Sequence, residues 1–86
     1  MTYTLFIRQQ ARKKLQSLSR PERFRLAEKI EQLGVNPDST ELDIKKLEGE
    51  TYYRLRVGNW RVIFDRQDAV RVIAIEKIKP RGDAYK

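Results

Sequence analysis

The strongest constraint on the fold is an alternation of apolar and basic side chains on either side of Gly58 and Asn59. Residues 52–57 and 60–65 each alternate with a period of two, which is typical of strands because successive strand side chains point to opposite faces. A two-residue connection with glycine first predicts a β-hairpin with a type II′ turn. The chain is therefore expected to fold around a hairpin with one apolar and one polar face.

The register of this hairpin sorts its side chains into two sets. Val57 should face Trp60, and Arg56 should face Arg61. The apolar face is predicted to hold Tyr53, Leu55, Val57, Trp60, Val62 and Phe64, and the opposite face Arg54, Arg56 and Arg61. Two interpretations stay open for the arginines. They line a solvated face and pair with loop carboxylates such as Asp65 or Glu50, or they bind phosphate, whose oxygens match the arginine fork.

Helical and strand patterns flank the hairpin. The pattern predicts a strand over 2–7, a short helix through Leu15, and a second helix that begins at a capping box of Ser19 and Glu22 and ends near Gly34. Residues 35–50 read as an ordered connection and 69–76 as a strand inside the sheet. The predicted class is α+β in the order β-α-α-β-β-β: an N-terminal strand, a helical hairpin and a three-stranded antiparallel meander, in one domain spanning 1–86.

Composition narrows the chemistry. The chain has no histidine and no cysteine, which excludes His-dependent triads, disulfides and thiolate metal sites, and we expect neither a metal nor a cofactor. Its net charge of +7 and pI near 10 indicate a polyanionic partner such as nucleic acid. No membrane span or signal segment is evident, so we expect no membrane partner and a cytoplasmic location.

A second basic cluster lies at the C-terminus. Pro80 and Gly82 interrupt regular structure there, which predicts an irregular segment carrying Arg81 and Tyr85. A tyrosine beside cations can stack on a base or exchange a proton. A frayed tail is the simpler alternative for this segment. Lys45 and Lys46 also leave two interpretations open, a solvated pair of lysines or cations that add to a phosphate-binding surface.

Over nearly its whole length the chain resembles the RelE/ParE toxin superfamily of bacterial toxin–antitoxin systems. The resemblance is carried by the segments IKKLEGETYYRLRVGNWRVIF and VRVIAIEKIKPRGDAYK, whose Arg-x-x-x-Tyr ending resembles the RelE-like branch. It implies a RelE-like microbial RNase fold and a metal-independent endoribonuclease that cleaves mRNA on the ribosome. By motif position the implied catalytic residues are Arg54, Arg56, Arg61, Arg81 and Tyr85.

The implied reaction is attack of an RNA 2′-OH on the adjacent phosphorus, and the arginine cluster would stabilise the charge that develops on the phosphate. Arginine stays protonated below pH ~12, so Tyr85 is the predicted base, with its pKa lowered by neighbouring cations. Little cleavage of naked RNA is expected. The ribosomal decoding site would orient the strand, and rRNA would contact basic residues outside the catalytic set: Lys45, Lys46, Arg12, Lys13, Lys14, Arg23 and Arg25.

Two other functions stay open. A ParE-like toxin would inhibit DNA gyrase without nuclease activity, and a third possibility is a plain nucleic-acid-binding module or a toxin whose site has decayed. For either kind of toxin, the mRNA endoribonuclease or the gyrase inhibitor, the resemblance implies a cognate antitoxin. Because the toxin is basic, that antitoxin should be acidic, largely disordered when free, and bound to the toxin in a hetero-oligomer.

Overall fold

A computed structural model of the protein describes residues 2–49 and 51–80. Two helices cover one face of a five-stranded sheet whose strand order is β1-β5-β4-β3-β2. Strand β1 runs parallel to β5, and the other neighbours are antiparallel. The elements are β1 (Thr4–Ile7), α1 (Gln9–Ser17), α2 (Arg20–Val35), β2 (Asp43–Lys46), β3 (Tyr52–Val57), β4 (Trp60–Gln67) and β5 (Val72–Pro80).

The two helices form where the spacing of apolar residues predicts them. Ala11 on α1 and Leu26, Ile30 and Leu33 on α2 are buried against the sheet. The capping box is wrong: Ser19 is the N-cap of α2 but makes no side-chain capping bond. The carboxylate of Glu22 instead accepts a hydrogen bond from the Trp60 indole at 3.0 Å, which ties the start of α2 to the hairpin.

Gly34 does not end α2, which continues through Val35. Its role is close packing, because a Cβ at this position would lie 2.9 Å from Leu5 Cγ. The Gly34 carbonyl also accepts a hydrogen bond from the Tyr3 amide at 2.6 Å. The absent side chain therefore lets β1 lie directly against the last turn of the helix.

The hairpin register is confirmed. Val57 pairs with Trp60, Arg56 with Arg61, and Leu55 with Val62. Gly58 has a φ of 58° whereas Asn59 has no positive φ, as a type II′ turn requires. The apolar face of the hairpin packs beneath the helices, with Leu55, Val62 and Phe64 among its most deeply buried residues.

The predicted α+β class is confirmed, but the predicted order of elements along the chain lacks one strand. Asp43–Lys46 forms β2, which pairs with β3 and makes the meander four-stranded. The last strand begins later than the predicted 69–76, because a turn over 68–71 precedes it, and it continues beyond residue 76 to Pro80. Arg71 closes that turn at a φ of 56°, in the left-handed region that non-glycine residues rarely adopt.

A β-bulge interrupts the pairing of β4 with β5. Ile63 pairs with Lys77 but the next residue, Phe64, pairs with Ile75, so Glu76 is the extra residue of β5. Before the bulge, Ile73 and Ile75 point towards the helices, and after it Ile78 does. An uninterrupted strand would direct residues 77 and 79 towards the helices. The bulge therefore turns Lys77 and Lys79 to the face that the helices leave open.

No helix within residues 2–49 and 51–80 is long and apolar enough to cross a membrane.

Candidate functional site

Two rows of side chains cross the open face of the sheet. In the first row Arg56 pairs with Arg61, Arg61 with Lys79, and Arg56 on its other side with Asp43. The second row runs from Lys45 through Arg54 and Ile63 to Lys77. Directly paired residues of antiparallel strands point to the same face. We call the six cations of these rows the basic face: Lys45, Arg54, Arg56, Arg61, Lys77 and Lys79.

The arginines of the basic face differ in exposure. Arg54 and Arg61 are only 8% and 7% exposed, whereas the Arg56 side chain is 42% exposed. Burial of a cation is costly unless an anion or hydrogen bonds compensate it. The two nearly buried arginines therefore stand beside four further cations, whose like charges repel them.

One carboxylate lies within the basic face. Asp43 Oδ1 is 3.4 Å from Arg54 Nη2, and Asp43 Oδ2 is 3.9 Å from Arg56 Nε. Asp43 was not among the predicted partners of the arginines, because the strand β2 that brings it to them was not predicted. The suggested partner Asp65 instead accepts a hydrogen bond from Gln67 at 2.9 Å, and Glu50 lies outside the described residues. The cations still outnumber this carboxylate six to one.

A cavity of about 370 Å³ opens on this face. Its basic part is formed by Arg54, Arg61, Lys77 and Lys79, and Glu76 also lies in its wall. The remaining described lining is Leu47, Tyr52 and Ile63. Such a cavity can hold an anionic group between several cations, which attract it from more than one side.

Sequence reasoning missed Lys77 and Lys79 as site residues. A signal was present, because Lys77, Ile78 and Lys79 alternate with the period of a strand. The prediction ended the strand at residue 76, which left both lysines in the tail. Arg81 and Tyr85 were predicted in the same tail, and both lie outside the described residues.

The other predicted RNA-binding residues are divided between surfaces. Lys45 belongs to the basic face, but the neighbouring Lys46 pairs with Tyr53 and so points to the opposite side of the exposed edge strand. Lys14 lies over the Trp60 ring at 5.4 Å, and the guanidinium of Arg25 borders Gly58, so both stand at the hairpin end. The structure places Arg12, Lys13 and Arg23 on the helices, away from the open face.

A separate ionic cluster fixes the other end of the sheet. Arg66 donates to Asp38 at 2.8 Å and to Asp68 at 2.7 Å, and Asp68 also accepts a hydrogen bond from the Tyr3 hydroxyl at 2.8 Å. The hydrogen bonds from Arg66 hold the pKa of both carboxyls below the usual value. This cluster joins the turn after α2 to the end of β4, so its role is structural.

The described residues contain no group of three acidic side chains that could hold a metal ion, and the sequence has no histidine or cysteine to add. The groups that the basic face and its cavity offer are the six cations, the carboxylates of Asp43 and Glu76, and the Tyr52 hydroxyl. The architecture defines a class: a small α+β protein with helices on one face of its sheet and a basic surface on the other.

Comparison with known proteins identifies the family. Residues 5–85 match the model of the ParE toxin of type II toxin–antitoxin systems. A Methanocaldococcus jannaschii protein with the provisional name toxin RelE1 is 36% identical over an alignment of 88 positions, which covers 100% of this chain and 98% of that protein. The chain therefore belongs to the RelE/ParE superfamily and is a toxin of a type II toxin–antitoxin system.

Two solved structures show the same architecture. A chain of the archaeal RelE–RelB complex from Pyrococcus horikoshii is 40% identical and superposes with a TM-score of 0.83, covering 95% of this chain and 98% of that one. A chain of the RelB–RelE antitoxin–toxin complex from Methanococcus jannaschii is 29% identical with a TM-score of 0.73, covering 93% and 94%. The predicted superfamily is thus confirmed.

Proposed function

We propose that this toxin is a metal-independent endoribonuclease that cleaves mRNA on the ribosome. The observation that carries the proposal is the basic face, which gathers six cations, buries two of its arginines and places four of the cations in the wall of a cavity. A phosphodiester that gains negative charge during cleavage is the ligand that suits such a surface. The names of the similar archaeal proteins, which are RelE rather than ParE, support a nuclease over a gyrase inhibitor.

The chemistry follows from what these cations can do. The RNA 2′-oxygen loses its proton and forms a bond to the adjacent phosphorus while the bond from phosphorus to the 5′-oxygen breaks, and the 5′-oxygen gains a proton, which leaves a cyclic phosphate and a 5′-OH. Arg54 and Arg61 would bind the non-bridging oxygens, and Lys79 would add charge beside Arg61. Preorganised charge of this kind is often the largest contribution to catalysis.

Proton transfer needs a different group, because arginine does not deprotonate near neutral pH. We propose that Tyr85 accepts the proton of the 2′-OH and that Arg81 or Arg61 binds the leaving side. Tyr85→Phe is then expected to lose cleavage and growth inhibition. Cleavage by this variant at close to the wild-type rate would exclude Tyr85 as the base.

The ribosome would supply what the small toxin lacks. The decoding site can orient the message so that the 2′-oxygen lies in line with the leaving oxygen, and such positioning lowers the barrier substantially. This requires a cytoplasmic toxin. The helix cations Arg12, Lys13, Lys14 and Arg23, together with Arg25, would contact rRNA. Single substitutions there should weaken ribosome binding and its salt dependence without lowering the single-turnover rate.

We further propose an acidic antitoxin as the partner of this chain, because both similar structures are toxin–antitoxin complexes. A chain with a net charge of +7 should attract such a partner electrostatically. A binding titration should therefore show affinity that falls as salt rises. Affinity that does not change with salt would show that charge contributes little to the complex.

The decisive experiment compares purified toxin variants on ribosome-bound mRNA, with cleavage sites mapped by primer extension. Arg56→Ala and Arg61→Ala should both lose cleavage and growth inhibition, since each removes a cation from the basic face. For Arg61, loss of one preorganised charge should cost about 100- to 1,000-fold in rate. Arg20→Ala, which removes an exposed charge from the helix side, is the matched control and should cleave normally.

Three outcomes would contradict parts of the proposal. Full toxicity of Arg56→Ala or Arg61→Ala would place the catalytic surface elsewhere, provided that circular dichroism shows both variants folded. Efficient cleavage of purified single-stranded RNA would indicate a nuclease that needs no ribosome. Inhibition of plasmid supercoiling by gyrase, with message left intact, would favour the ParE-like alternative.

A further inference from the structure

The cavity on the open face has two chemically different ends. Arg54, Arg61, Lys77 and Lys79 form the cationic end, whereas Leu47 and Tyr52 form a largely apolar end, and Ile63 lies at the border because it pairs with both Arg54 and Lys77. The two ends adjoin each other along β3 and β4, because Ile63 pairs directly with Arg54 and Tyr52 precedes Arg54 by two residues. A ligand that fills this cavity must therefore be anionic at one end and flat or apolar at the other.

The cavity has the dimensions for one nucleotide. Its volume of about 370 Å³ lies at the small end of the range of ligand pockets, roughly 300–1,000 Å³. Residues two apart on a strand are separated by roughly 6.6 Å and point to the same face. This separation lets a phosphate lie on Arg54 while the base of the same nucleotide reaches Tyr52.

The two neighbouring tyrosines of β3 show that Tyr52 differs from a packing residue. Tyr53 points to the helix side and stacks on Phe64 with ring centroids 5.5 Å apart. Tyr52 pairs with Asp65, points to the open face and is half-buried in the cavity wall. The apolar core therefore accounts for Tyr53, whereas it does not account for an aromatic ring placed beside buried arginines.

We propose that Tyr52, with Leu47 and Ile63, is a nucleobase platform that binds one unstacked base of the RNA. The base belongs to a nucleotide beside the scissile phosphate, which the cationic end holds. Stacking on an aromatic ring tolerates any base, and the shape of the apolar wall then selects among purines and pyrimidines. The inference rests on the proposed nuclease function and assigns Tyr52 to positioning and specificity rather than to proton transfer.

The test uses ribosomes that hold mRNA with an abasic nucleotide on either side of the cleavage site. With the wild-type toxin, kcat/KM should fall about 5- to 150-fold at one of the two positions, the range expected for losing one base–aromatic stack. The other position should change little. This arm needs no altered protein, so a folding defect cannot explain it.

Protein variants then assign the effect to Tyr52. Tyr52→Ala should lose a similar factor on intact mRNA and should show no further loss on the abasic message. Tyr52→Phe keeps the ring and should recover most of the rate that Tyr52→Ala loses. Tyr53→Phe is the matched control, and thermal melts verify that each variant is folded.

The outcomes separate the two proposals. If the wild type cleaves but abasic substitution costs Tyr52→Ala as much as it costs the wild type, the platform is wrong and the nuclease function stands. Wild-type activity of a folded Tyr52→Ala variant would also overturn the platform. If the wild-type toxin cleaves no ribosome-bound message, both proposals fail.

Discussion

Lys79→Met should make the toxin more stable and less active at the same time. Lys79 pairs with Arg61, which pairs with Arg56, so three cations stand side by side on adjacent strands. Two unit charges about 6 Å apart repel each other by roughly 0.7 kcal/mol in water, and by more at lower dielectric. Methionine keeps the apolar stem and removes the charge. We therefore expect a gain of about 0.7 kcal/mol or more, equivalent to a Tm rise of about 3–6 °C for a domain of this size.

The assay is unfolding in urea, a denaturant that does not screen charge, at about 10 mM and 1 M NaCl. The Debye length falls from about 30 Å to about 3 Å between these conditions, so the gain should disappear at high salt. Lys29→Met on α2 is the matched control and should give no salt-dependent gain. Destabilisation by Lys79→Met at low salt, or a gain that is equal at both salt concentrations, would refute the repulsion. Cleavage should fall in parallel, as expected where function opposes stability.

Two further predictions concern the scaffold. Gly34→Ala should destabilise the protein by up to about 2 kcal/mol, because overpacking against Leu5 costs about 1–3 kcal/mol and exceeds the helix propensity gain of about 1 kcal/mol. In urea unfolding, the double variant Gly34→Ala, Leu5→Ala should be more stable than the sum of the two single effects predicts. Strict additivity would contradict the contact. The lowered pKa of Asp38 and Asp68 beside Arg66 means that their contribution to stability is present above about pH 4 and is lost as pH falls through the folded-state pKa. In thermal melts, the double variant Asp38→Asn, Asp68→Asn should therefore lose less stability than the wild type between about pH 5 and 2. An unchanged dependence of Tm on pH would count against this linkage.

The local patterns of the sequence predicted most of the fold. The alternation on either side of Gly58 fixed the hairpin register, and with it the face that carries Arg54, Arg56 and Arg61. Both helices followed from apolar spacing. These features depend on side-chain periodicity and turn geometry, which neighbouring residues determine.

The features that the sequence did not predict depend on contacts between distant segments. Strand β2 contains one half-buried apolar residue, Ile44, among charged neighbours, so it forms because β3 offers a free edge rather than from its own pattern. Asp43 could not be placed beside the arginines without that strand. Lys77 and Lys79 were missed because their direction depends on the bulge at Glu76, which pairing with β4 defines.

The bulge at Glu76 also affects how this chain should be compared with other sequences. Upstream of it, odd-numbered residues of β5 belong to the core, and downstream of it the even-numbered Ile78 does. A homologue without the extra residue would keep the same two surfaces only with a one-position gap at this point. An ungapped alignment would match lysines of the basic face with core residues. A cation that is missing from such an alignment would then reflect a one-residue shift between inward-facing and outward-facing positions of the strand. Insertion or deletion of a single residue here would exchange the residues of two surfaces at once, which substitutions at any one position cannot do.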